Sequence, residues 1–173
     1  MRMQMKSFLL LALSFVVAGA LHGQDTRPSP TQTKAGIIAG SVNLEIKYGS
    51  PSVKGRKIWG DLVRYGEIWR TGANEATTFE VSRDVLVNGM RLPKGKYALF
   101  TIPAEKTWTL VFNREANQWG AYNYKESMDA LRVNATPKKA KAFSERLEFE
   151  ITPKGKVFLN WENLSVPFVV KPL

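Results

Sequence analysis

The chain has no cysteine, and its one histidine is His22. Without thiols there are no disulfides, no thiolate metal sites and no cysteine nucleophile. His22 lies in a polar N-terminal stretch, so the part expected to fold has no histidine. That excludes Ser-His-Asp triads, histidine zinc sites and histidine general bases. A phosphate-binding glycine loop, a dinucleotide fingerprint and a calcium loop are absent too. No segment carries a long amphipathic helical pattern, and no apolar run is long enough to span a bilayer, which needs roughly 20 residues. What remains is carboxylate chemistry, arginine-centred anion binding and aromatic stacking. No cofactor and no metal ion is expected.

The N-terminus has the three parts of a secretory signal: basic Arg2 and Lys6, an apolar run over 8–20, and the small residues Ala18, Gly19 and Ala20. Cleavage near Ala20 would leave about 150 residues, the size of one domain. The expected organisation is a signal over 1–20, a flexible Pro/Thr-rich lead-in over 21–34 and a single domain over 35–173. Its location would be periplasmic or secreted, with no transmembrane anchor. The chain is basic, with 25 Lys and Arg against 15 Asp and Glu and a net charge of +10. Export argues against nucleic acid as the partner. The lysines are scattered except at Lys138, Lys139 and Lys141, and scattered charge reads as a solvated surface.

The rest of the chain is strand after strand. Val42, Leu44, Ile46 and Tyr48 alternate with Asn43, Glu45 and Lys47, a half-buried strand. Asn88-Gly89 between two apolar runs is a two-residue hairpin turn, pairing Val87 with Met90 and Val85 with Leu92 on the buried face. Residues 96–102 are apolar on both faces, as in a central strand, and 107–112 pair back on them. Leu131, Val133 and Ala135 alternate. So do residues 146–151, 156–161 and 164–170, with Pro167 marking a sheet edge. Residues 138–144 read as a loop or a helical turn. About eight or nine strands at short spacing predict an all-β, single-domain antiparallel β-sandwich, jelly-roll or Greek-key-like.

One long stretch, 50–78, shows no strand alternation, and long loops are where function concentrates. It holds Trp59, Glu67, Trp69, Arg70, Asn74 and Glu75. Arginine grips carboxylates or phosphates with a planar fork, asparagine offers donor and acceptor to hydroxyls, and indoles stack on sugars. A second loop adds Asn113, Asn117, Gln118, Trp119, Tyr122 and Tyr124. The expected site is Trp59, Glu67, Trp69, Arg70, Asn74, Glu75 and Trp119, taking a glycan, a peptidoglycan fragment or a small anionic ligand. Two alternatives stand beside it. Glu67 and Glu75 could be the paired carboxylates of a glycosidase-like hydrolase. Or Arg70 could pair with Glu67 or Glu75 to pin the loop, with the tryptophans as lids on the core of a structural envelope component.

Four blocks carry a resemblance: GSPSVKGRKIWGDLV (49–63), WRTGANEAT (69–77), LPKGKYALF (92–100) and NQWGAY (117–122). They resemble the bacterial family of exported proteins called domain of unknown function 2911, over about residues 35–172. Arg64 stands where the family has a proline before the Tyr-Gly step. The resemblance implies no activity and assigns no catalytic role.

Overall fold

A computed structural model describes residues 27–173. The expected signal over 1–20 lies outside the described residues. Among the described residues ten strands form two antiparallel sheets, with one 3-10 turn at Glu126–Met128. Among the described residues no helix is long and apolar enough to cross a membrane.

The larger sheet has six strands: β1 (Thr31–Ile38), β2 (Val42–Gly49), β3 (Ala73–Val81), β6 (Gly95–Ile102), β7 (Trp108–Asn113) and β8 (Asp129–Ala135), in the order β1-β2-β3-β6-β7-β8. It is two three-stranded meanders laid side by side. The smaller sheet is β5-β4-β10-β9, built from β4 (Val85–Val87), β5 (Met90–Leu92), β9 (Lys138–Ile151) and β10 (Lys156–Pro172). The first strand begins at Thr31, inside the stretch read as a flexible lead-in, because its polar residues pair with β2 from Thr31↔Gly49 onward.

The core lies between the sheets. Leu44, Ile46, Phe79, Leu99, Leu110 and Phe112 from the larger sheet meet Leu147, Phe149, Leu159, Phe168 and Val170 from the smaller. Each such side chain contributes about 1.5–3 kcal/mol on leaving water. The hairpin at Asn88-Gly89 has φ of +46° and +88° and the expected register. Met90 is the exception to the expected burial. It is exposed, because this short ribbon runs at the edge of its sheet with β5 outermost.

Both faces of β6 are covered, but by different partners. Tyr97 and Leu99 face the main core, whereas Ala98 and Phe100 join Ala76 and Val111 in a second small core on the outer face. Ile68, Ala121 and Tyr124, from two long loops, roof that second core.

Residues 138–144, expected as loop or helix, are the first half of β9, paired with β10 down to Ser165↔Lys138. Residues 156–161 and 164–170, expected as two strands, are one strand with bulges on either side of Glu162, whose φ is +56°. The bend brings the ends of β10 together, and the Val170 N–H donates to the Gly155 carbonyl at 2.8 Å. Pro167 lies not on an edge strand but in β10, between its last partner on β9 and its first on β4, where no ladder donor is needed.

Candidate functional site

The segment 50–72 is fixed by backbone bonds rather than by a ladder. The Val53 N–H donates to Glu145, and the Leu147 N–H to Pro51, which fastens the segment to β9. Further on, Trp69 and Thr101 exchange two backbone bonds at 2.8 and 2.9 Å. Thr71 is fully buried, with φ +57°, and its hydroxyl lies 3.2 Å from that of Thr101. The Thr77 hydroxyl donates to the Thr71 carbonyl at 2.9 Å. Residues 69–72 are thus wedged against the start of β3 and the end of β6.

The other flank of β3 takes the second loop. The Ala76 N–H donates to Gln118, and the Gly120 N–H to Asn74. Trp119 therefore stands opposite Glu75 in an isolated antiparallel bridge. This pairing walls a groove of about 390 Å³ on the outer face of the larger sheet. Its floor includes Lys47 of β2, Thr78 and Ala76 of β3, and Lys96 of β6. Neighbouring strands bring the floor together through the register Lys47↔Thr78 and Thr78↔Ala98. Asn117, Gln118 and Trp119 form one wall, and Arg27 and Thr31 the other. Trp119 is 55% exposed, a free indole beside the opening.

The groove is electrostatically mixed, with an excess of positive charge. Arg27 lies 3.1 Å from the Glu75 carboxylate. Lys96 pairs with Glu80 at 3.6 Å, while Lys47 has no carboxylate within ion-pair reach among the described residues. Glu75 is held below its ordinary pKa, first by a hydrogen bond from its own backbone N–H, which burial opposes and to which Arg27 and Lys47 add. A depressed carboxylate is a charged acceptor, not a general acid.

The residues predicted for the site separate into distinct places. Glu75 and Trp119 line the groove. Trp59 and Trp69 are half-buried and pack with Trp108 and Trp161 in a four-indole cluster. Ring centroids there lie 5.2 Å apart for Trp59–Trp108 and 6.1 Å for Trp69–Trp161, the latter stacked. These two indoles serve as lids on the core. Glu67 lies on a separate hollow of about 170 Å³ and pairs with exposed Arg64 at 3.5 Å. Since Glu67 and Glu75 line different hollows, they do not face each other across one cleft as paired carboxylates must. The amide of Asn74 donates to the Ser29 carbonyl at 2.9 Å, tying down the chain before β1.

Arg70 pairs with neither Glu67 nor Glu75. It is half-buried, its Nε has no partner among the described residues, and desolvation lowers its pKa against a raising influence from Tyr122. From the second loop, Asn113 and Tyr124 are structural. The Asn113 amide donates to Lys125 and Asp129, and the Tyr124 hydroxyl donates to Asp129 at 2.7 Å. The sequence reading missed Arg27, Lys47 and Lys96. The two lysines are outward positions of alternating strands, and nothing local distinguishes them from solubilising charge.

Fold and groove together define an antiparallel two-sheet β-sandwich with an aromatic-flanked, polar groove on the outer face of its larger sheet. The chain belongs to the family described as "Protein of unknown function (DUF2911)", which matches residues 29–170. No curated protein and no solved structure matches it.

Proposed function

We propose that this is an exported, non-catalytic binding protein of the bacterial envelope, and that its site is the groove beneath Trp119. Its ligand is a small hydroxylated anion of the kind found in acidic glycan fragments, peptidoglycan fragments included. The half-exposed indole of Trp119 beside Lys47, Lys96, Glu75 and Asn117 carries this reading. An indole face covers the apolar face of a sugar ring, ammonium groups hold a carboxylate, and Glu75 and Asn117 accept or donate to hydroxyls. Export rests on Arg2, Lys6, the apolar run over 8–20 and the small residues at 18–20.

The test is calorimetric titration of the mature protein with uronic acid oligomers and peptidoglycan fragments. Trp119→Ala should weaken binding by roughly tenfold, about 1.4 kcal/mol. Lys47→Gln should weaken charged ligands and leave neutral sugars unaffected. If Trp119→Ala binds as the wild type does, the groove is not the site. Fractionation of the native host with N-terminal sequencing checks export, and an intact Met1 in the cytoplasm would refute it.

A further inference from the structure

The outer face of the smaller sheet carries a second hollow, larger than the groove, at about 650 Å³. It lies where β10 bulges against β9 on either side of Glu162. Four lysines line it: Lys138, Lys139 and Lys141 on β9 and Lys156 at the start of β10. Glu148 and Glu150 lie in the same hollow, yet among the described residues none of the four ammonium groups is paired with a carboxylate. Half-buried Phe158 contributes apolar surface.

Edge protection accounts for part of this. The first half of β9 pairs only with β10, and lysines on a free strand edge block pairing with another chain. That argument covers Lys139 and Lys141. It leaves out Lys156, which belongs to the interior strand, and it does not explain a concave face. Four unpaired cations around a concavity, with two carboxylates and several amides and hydroxyls between them, match a chain bearing repeated negative charges and hydroxyl groups. A planar bilayer would meet the rim and leave the concave floor unfilled.

We propose that this hollow docks a segment of acidic polysaccharide, independently of the groove on the opposite sheet. The lysines hold its carboxylates or sulfates, the glutamates accept from its hydroxyls, and Phe158 covers an apolar face.

The experiment measures binding of the mature protein to polygalacturonate, to heparin and to phosphatidylcholine vesicles with and without phosphatidylglycerol, at low and high salt. The wild type should bind at least one polysaccharide, with affinity that falls steeply as salt rises. The triple change Lys138→Gln, Lys139→Gln, Lys141→Gln should weaken binding at least tenfold. Lys156→Gln, away from the free edge, should weaken it severalfold even if the triple variant aggregates. The triple arginine variant should bind like the wild type, and the lysine-to-glutamine changes should weaken binding by the same factor when made in Trp119→Ala, which separates this surface from the groove. Binding to anionic vesicles but to neither polysaccharide would overturn the proposal. So would polysaccharide binding in the Trp119→Ala background that Lys156→Gln and the triple glutamine change both leave intact.

Discussion

At the scale of single residues, the region where 50–72 joins β3 is set by what has no room for a Cβ. A Cβ on Gly49 would lie 2.1 Å from the carbonyl oxygen of Ala73, and one on Gly72 would lie 2.9 Å from that of Gly49. The two chains touch backbone to backbone, and backbone cannot swing aside as a long side chain can. Gly49→Ala should therefore cost at least about 3 kcal/mol, because β2 and β3 must separate to admit a methyl group. Gly66→Ala is the comparison. Gly66 has φ +77° with nothing within 4 Å of its missing Cβ, so only the backbone penalty applies, about 1 kcal/mol. Urea unfolding of the two variants measures the difference, and equal losses would show that the contact relaxes freely. The same crowding holds Thr71 and Asn74 at positive φ, and strain of this kind persists only where the surroundings over-determine it.

At the scale of elements, the β4–β5 hairpin shows how a local signal is reinforced by long-range bonds. The Asn88 amide donates to the Asn134 carbonyl at 2.8 Å, and its oxygen accepts from the Val169 N–H at 2.8 Å. The turn residue thus links β5, β8 and β10. Asn88→Ala loses both bonds and places alanine at φ +46°, a cost of about 2 kcal/mol in all. Asn88→Gly keeps the turn geometry and should recover part of that loss. Identical stabilities for the two variants in denaturant titration would remove the backbone contribution. Most elements were legible because one face had to be apolar: Val42, Leu44, Ile46 and Tyr48 are buried alternately as their spacing requires. The first half of β9 was not legible. Its Lys-Ala-Lys-Ala run has no core-facing residues, since only its backbone is engaged. The groove was legible in Glu75 and Trp119, and in Asn117 and Gln118 of the second loop. Its floor depends on the register that sets Lys47 beside Thr78, and its far wall on Arg27, and no local pattern encodes either. The wedge at 69–72 was recognisable as irregular, but the burial of Trp59 and Trp69 follows from Trp108 and Trp161, which are distant in sequence.

At the scale of the whole molecule, the sandwich has no disulfide, so it is held by packing and by side-chain hydrogen bonds, some between the sheets and some that pin a loop to its neighbouring strand. Three tyrosines stand at such points. Tyr48 of β2 reaches across the core, packs its ring edge-on against Phe149 at 4.9 Å and accepts from the Phe149 N–H at 3.2 Å. Tyr97 of β6 donates to the Pro93 carbonyl, and Tyr124 fastens the second loop to Asp129 over Phe100. All three have raised pKa values, with burial as the first cause in each, and Tyr124 is pushed up to about 12 from an ordinary value of 10.0. The folded protein therefore holds these phenolic protons more tightly than the unfolded chain does. The sign follows from that difference: the stabilisation is fully present below pH 10 and is lost as pH climbs through the folded values toward about 12. Ionisation of Tyr48 would also place a buried negative charge close to Glu148, which already raises its pKa. Denaturant midpoints should be flat up to about pH 9.5 and then fall. The fall should be smaller in Tyr124→Phe, which has no proton to lose there. Phenolate absorbance followed across the same range in the folded protein should lag behind that of the unfolded chain. If all five tyrosines ionise together near pH 10 while the fold persists, these hydroxyls are not among the contacts that hold the sheets together.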